Sequence, residues 1–180
     1  MAVSQGDLAG GFGYAGCIYD NGVLLPSNMG YPGTVLAFSD ANTLWTSDFS
    51  LRQGLVDSQG STTLNDFRAF SGPFNLIGGN FYFNNGQVVS TQTGSLIGTL
   101  PVGGNGGRVG VNLAMQRAYT VIPSPGPIDG LQLSTYDMST YRLLSTVGIP
   151  IGLVTVQHTT VLSNGSLAFR DDSKVYFVTP

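Results

Sequence analysis

Three Asn-Gly dipeptides sit between short apolar runs: Asn21-Gly22 in CIYDNGVLL, Asn85-Gly86 in FYFNNGQVV and Asn164-Gly165 in VLSNGSLAF. A two-residue turn that reverses a strand without splaying it needs positive φ at both central positions, and Asn followed by Gly adopts that pair most readily. Each dipeptide therefore predicts a β-hairpin whose two turn residues are left-handed. The composition leaves little room for helix. The chain has ten Asp, no Glu and a single lysine, Lys174. Glu and Lys are good helix formers that normally supply a solvated helix face, and that face is missing. Only 9% of the 180 residues are charged, against roughly 25% in an ordinary soluble domain. Gly, Ser, Thr, Asn, Val and Tyr fill the remainder, which suits strands and tight turns.

The formal net charge is −3, and the six arginines, Arg52, Arg68, Arg108, Arg117, Arg142 and Arg170, are scattered singly. Nucleic acid needs a basic patch or stripe, and an anionic lipid surface needs a basic cluster, so neither is expected as a partner. No apolar run approaches the ~18 residues of a bilayer span. The most apolar stretch, 147–156, is broken by Pro150 and two glycines. Cys17 is alone and makes no internal disulfide. Scarce Cys and charge with abundant Asn, Ser, Thr and Gly match the composition of bacterial surface proteins, so an extracellular or cell-surface location is expected. The opening MAVSQGDLAGG has neither the basic nor the apolar region of a signal peptide.

Self-similarity organises the rest. Trp45, Tyr82 and Tyr119 are spaced by 37 residues in strand-like segments, and Ala168 follows 49 later. Independently, Ser90-TQTGSLIGTL aligns with Asp137-MSTYRLLSTV at an offset of 47, matching Thr93 to Thr140, Leu96 to Leu143 and Thr99 to Thr146. Periods of roughly 40–50 residues fit a four-stranded propeller blade. The expectation is an all-β, antiparallel β-propeller, partial or small, of about 4 blades and about 17 strands within one domain over 1–180. Full units are expected at 34–70, 74–102 and 108–148, with partial units at 15–30 and 153–180.

The phrases CIYDNGVLLPS, GGNFYFNNGQVVSTQTGSLIGTL, RVGVNLAMQRAYTV, LSTYDMSTYRLLSTV and SLAFRDDSKVYFV resemble the C-terminal part of bacterial seven-bladed propellers of the quinoprotein-amine-dehydrogenase-like and lactonase-like superfamily. The resemblance covers most of 15–180 and arrives in blade order. It implies the fold, while propellers of this kind serve as scaffolds, lectin-like binders and enzymes. Seven blades need about 28 strands, so a smaller ring, two chains completing each other, or a piece of a larger assembly would satisfy it. The last unit lacks a fourth strand and the N-terminus offers a spare hairpin, which would allow both ends of the chain to share one blade.

No catalytic, cofactor or metal constellation emerges. Gly11-Phe-Gly13-Tyr-Ala-Gly16 matches G-x-G-x-x-G but precedes a hairpin rather than a helix. His158 and Cys17 are the only soft ligand candidates, too few for zinc. Serines abound without a G-x-S-x-G elbow, and Asn164-Gly-Ser166 lies in a tight turn. Asp40, Asp137 and the Asp171-Asp172 pair read as turn formers whose carboxylates bond the backbone. Trp45, Tyr82 and Tyr119 read as packing between blades. Loops carry binding more often than strands, so the binding candidates are Tyr31 and Asn28 in loop 27–33 and Asp129 in PGPIDG. The expected function is a non-catalytic interaction or assembly module, working by self-association or with a complementary propeller half. The alternatives are a lectin-like propeller binding a glycan and a lactonase- or quinoprotein-type enzyme.

Overall fold

The computed structural model describes residues 2–7, 14–20, 23–25, 35–47, 49–102, 108–124 and 130–179. Every regular element among them is a strand, and all pairings are antiparallel. The chain divides into two compact units, Met1–Pro73 and Phe74–Pro180.

In the first unit, β1 (Ala2–Asp7), β2 (Tyr14–Asp20) and β3 (Val23–Leu24) form a three-stranded sheet. The strand β1 was not legible in its small and polar residues; its pairing with β2 defines it. Tyr14, Ala15 and Gly16 of the glycine motif lie in β2, so no helix opens there. The next sheet is β4 (Val35–Phe38), β5 (Thr43–Ser47), β6 (Leu51–Asp57) and β7 (Gly60–Phe67), in sequence order. Its core contains Leu25, Leu44 and Val56. Trp45 is buried, stacks on Phe67 at 6.0 Å and donates its indole N–H to Ser39 Oγ at 3.1 Å.

The second unit holds three sheets. They are β8 (Phe74–Ile77), β9 (Asn80–Phe83), β10 (Gln87–Ser90) and β11 (Leu96–Thr99); β12 (Arg108–Asn112), β13 (Arg117–Pro123), β14 (Leu131–Asp137) and β15 (Leu143–Ile149); and the three-stranded β16 (His158–Val161), β17 (Leu167–Arg170) and β18 (Val175–Val178). Strand alternation sends side chains to two faces. Ala118 of β13 joins Tyr82, Val88, Val109 and Tyr136 in a core between the first two sheets. Its neighbours Tyr119 and Val121 join Leu131, Leu133, Leu167 and Phe169 in a core between the second and third. Tyr82, Tyr119 and Ala168 each occupy the second strand of their sheet.

One expectation needs correction. The turns at Gly86 and Gly165 are closed by glycine N–H bonds to the carbonyls of Phe83 (3.0 Å) and Leu162 (2.9 Å). The glycines have φ of 87° and 85°, while Asn85 and Asn164 are not left-handed. Each Asn instead accepts, through Oδ1, the N–H two residues on, from Gln87 and Ser166, both at 3.0 Å. The loop is therefore a turn followed by one left-handed residue, and Asn contributes its side chain rather than its φ. Asn21-Gly22 lies outside the described residues.

The 47-residue repeat is reproduced in detail. Ile97 and Leu144, themselves 47 apart, are each the extra residue of a bulge between third and fourth strands. Gly94 and Tyr141, also 47 apart, are both left-handed, at φ of 63° and 56°. Ser90 N–H bonds the Ser95 carbonyl at 3.0 Å, and Asp137 N–H bonds that of Arg142 at 2.9 Å. Tyr141 has no glycine's freedom. Its ring lies where a methyl group on Gly98 would be, and it packs against the Tyr82 core.

Thr159 of β16 is 1% exposed, and its hydroxyl has no hydrogen-bond partner. A buried unpaired hydroxyl costs free energy that an isosteric methyl group does not. Thr159→Val is expected to stabilise the protein by about 1 kcal/mol, read as a higher urea midpoint at unchanged m-value. A lower midpoint would show that the hydroxyl is satisfied.

Candidate functional site

The inner strands of the second unit lie side by side, β12 between β8 and β16. Asn75 of β8 ties them together: its Nδ2 donates to the Val109 carbonyl of β12 at 2.7 Å and lies 3.4 Å from the Thr159 carbonyl of β16. Gly110 of β12 permits the close approach, since a Cβ there would meet Thr159 and Leu167 at 3.1 and 3.2 Å.

At the far ends of these strands is an open groove of about 490 Å³. Ile77, the end of β12 with the turn 112–115, and the end of β16 with the turn 162–165 form its walls. None of the lining residues is ionisable and none is aromatic. Leu113 and Met115 are 44% and 58% exposed. The turn that carries them repeats the geometry at Gly165, with Gln116 N–H bonding the Leu113 carbonyl at 3.3 Å. Here, however, the left-handed position is filled by Gln116 at φ 53°. That conformation is unfavourable for a residue with a Cβ. It is held by three bonds: Met115 N–H to Asn112 Oδ1 (3.0 Å), Gln116 Nε2 to the Leu113 carbonyl (2.7 Å), and Met138 N–H to the Gln116 carbonyl (3.2 Å). A non-glycine residue held left-handed beside a cavity, presenting bare Leu and Met, is the clearest local departure from ordinary turn chemistry among the described residues. Chemically, the groove can take up an uncharged surface. Its polar side chains are the amides of Asn112 and Asn164 and the hydroxyl of Ser163.

Tyr31, Asn28 and Asp129 lie outside the described residues. The groove was not foreseen, although Leu113-Ala114-Met115 between two strands was a usable signal: a hairpin turn is normally Gly, Asn, Asp or Pro. His158 is exposed on β16, directly opposite Arg170 on β17. Partial burial, then the charges of Arg108 and Arg170, hold its imidazole below the usual value. Among the described residues no three of His, Cys, Asp or Glu gather as a metal site.

The aspartates are turn formers. Asp40 Oδ1 accepts the N–H groups of Asn42 (2.9 Å) and Thr43 (2.8 Å). Asp137 accepts the Ser139 hydroxyl at 2.6 Å and the Thr140 N–H at 2.9 Å, and pairs with Arg117 at 3.0 Å. Asp171 accepts the N–H groups of Ser173 and Lys174, both at 2.6 Å, and the Tyr176 hydroxyl at 2.8 Å. Hydrogen bonds from the Ser139 hydroxyl first, then Thr140, bring Asp137 down to about 2. Bonds from the Ser173 N–H first, then the Tyr176 hydroxyl, do the same for Asp171. Both groups hold their protons more weakly folded than unfolded, so their contribution is complete above the unfolded value near 3.8 and is lost as pH falls towards 2. Thermal midpoints of the wild type are expected to drop between pH 4 and 2, and the drop should be shallower in Asp137→Asn/Asp171→Asn. Parallel pH profiles would rule these two carboxylates out.

No protein-family model and no curated protein matches the sequence. Solved structures do match. The WD40 β-propeller domain of Doa1 is 12% identical, with a TM-score of 0.63 over 92% of this chain and 58% of that one. Kluyveromyces lactis Hsv2 is 15% identical, with a TM-score of 0.61 over 92% and 57%. Kuenenia stuttgartiensis hydrazine synthase is 8% identical, with a TM-score of 0.63 over 90% and 51%. The fold is that of a β-propeller. The chain spans a little over half the length of these propeller chains. At these identities the likeness is one of fold, and hosts of one fold differ in activity.

Proposed function

We propose that this chain is a non-catalytic β-propeller module that works by interaction and assembly, in a bacterial surface or secreted protein of the quinoprotein-like and lactonase-like superfamily. The observation that carries the reading is the groove at the ends of β8, β12 and β16: concave, lipped by exposed Leu113 and Met115, and free of ionisable groups in its walls. Such a surface gains by burying apolar area and has little to offer a bond-breaking step. A lectin-like role draws on the amides of Asn112 and Asn164 in the same walls, but the groove lacks the aromatic platform on which a sugar ring stacks. The purified chain is expected to self-associate in light scattering, to give no reproducible, competable signal on a glycan array, and to carry no stoichiometric metal. Competable glycan binding would move the function to the lectin reading. A stoichiometric calcium or zinc ion would overturn the non-catalytic one.

A further inference from the structure

The Asn85-Gly86 and Asn164-Gly165 turns share a sequence but are not held equally. Both glycine N–H groups close their turn, onto the carbonyls of Phe83 (3.0 Å) and Leu162 (2.9 Å). The Asn85 side chain is fixed at both ends: Oδ1 accepts the Gln87 N–H at 3.0 Å, and Nδ2 donates to Gln87 Oε1 at 2.9 Å. Gly86 is buried, and its carbonyl accepts the Leu100 N–H at 2.8 Å. Asn164 is exposed, and the Ser166 N–H at 3.0 Å is the one hydrogen bond of its side chain among the described residues. A Cβ built on Gly165 meets nothing within 4 Å. This openness belongs to the turn position. Met115 and Gln116 hold the same two places in the preceding sheet, which has a sheet packed on either side. There Met115 is 58% exposed, and Gln116 finds room for a whole side chain. Asn164 and Gly165 also line the groove, whose walls carry no ionisable group.

We propose that Asn164-Gly165 is a self-modifying site, at which the side-chain amide is exchanged for a carboxylate and the groove gains a negative charge. When the turn opens, the Gly165 backbone nitrogen attacks Asn164 Cγ. Glycine has no side chain to hinder that approach. The new N–Cγ bond closes a cyclic imide as the Cγ–Nδ2 bond breaks, and the amide leaves as ammonia with the proton that the Gly165 N–H gives up. Water then opens the imide. Addition at Cγ leaves an aspartate at position 164, and addition at the main-chain carbonyl leaves an isoaspartate. Nothing is oxidised or reduced, and water is the only co-reactant. The aspartate form keeps the turn, because a carboxylate accepts the Ser166 N–H as Asp171 accepts that of Ser173. The isoaspartate form carries an extra backbone methylene and displaces it. On the assembly reading above, an uncharged surface that covers the groove must strip the new carboxylate of water, which costs free energy. Conversion therefore weakens association as the protein ages.

Peptide mapping by mass spectrometry tests the site on the folded full chain, stored in mildly alkaline buffer and sampled over time. Position 164 is expected to convert about tenfold faster than position 85, because each turn must open locally before it can cyclise and the Gly86 turn is docked. Unfolding in urea should bring the two rates together, since the dipeptides are identical, and Gly165→Ala should slow conversion at 164. Equal rates in the folded chain, or a faster one at 85, would overturn the proposal. Light scattering then compares fresh wild type with Asn164→Asp and Asn164→Gln. Weaker self-association in Asn164→Asp alone supports the effect of charge on the groove. Equal assembly in all three would overturn that effect, while faster conversion at 164 would still establish the site. A fresh wild type that stays monomeric would remove the assembly reading, and the mapping result would stand without it.

Discussion

Gly86→Ala is expected to cost about 3 kcal/mol or more, and Gly165→Ala only about 1 kcal/mol. The two glycines occupy the same place in the same kind of turn, at φ of 87° and 85°, so the backbone strain of adding a Cβ is common to both. Their surroundings differ. A Cβ at Gly165 meets nothing within 4 Å, whereas one at Gly86 would drive into the Leu100 carbonyl oxygen and touch Val102 at 3.0 Å. The Leu100 N–H also bonds the Gly86 carbonyl at 2.8 Å. The turn and the segment after β11 are thus docked backbone to backbone, and Leu100 and Val102, 1% and 3% exposed, depend on that docking to reach the core. Backbone cannot swing aside as a side chain can, so the collision must displace Leu100 and Val102 or open the turn. Urea unfolding of both variants reads the difference. Equal losses would mean that segment 100–102 relaxes freely and that the core does not rely on it.

The same pair shows what the sequence could and could not say. That Asn85-Gly86 and Asn164-Gly165 reverse the chain was legible, because Gly tolerates left-handed φ and Asn bonds nearby backbone wherever the two occur. That only the glycine would be left-handed was not legible, since it follows from a loop one residue longer than the shortest turn. The collision at Gly86 was hidden altogether, because Leu100 arrives with the separate segment after β11. Likewise, aligning Ser90 with Asp137 found the repeat, yet nothing local announced that Tyr141 would take the backbone conformation of Gly94. The room left by Gly98 decides that. Gln116 is the same case at the groove, where side-chain and backbone bonds hold a conformation that its own type disfavours. The groove was missed because reading turns for Gly, Asn and Asp passes over a turn made of Leu, Ala and Met. Tyr31, Asn28 and Asp129 were chosen on loop membership, which is a statistical argument and places no side chain.

Tyr119→Ala is expected to destabilise the protein by about 3–5 kcal/mol, the range for removing a large buried ring. Tyr119 is 2% exposed and packs in the core that joins the sheet β12–β15 to β16–β18. The smaller partner sheet has three strands of four residues each and buries Leu167 and Phe169 against that ring's cluster. A sheet of three such short strands has few other contacts to fall back on, so the loss should be local before it is global. Amides of β16–β18 are expected to lose hydrogen-exchange protection at denaturant concentrations where β9, β10 and β13 still keep theirs. Leu144→Ser, at an exposed bulge position on β15, is the matched control and should change stability by no more than about 0.5 kcal/mol. If Tyr119→Ala instead unfolded every sheet of the second unit in one step, the sheets would be a single cooperative block, and the last one would draw its stability from contacts other than this core. A Tyr119 variant as stable as the Leu144 control would show that the ring at the 37-residue spacing is not what binds one sheet to the next.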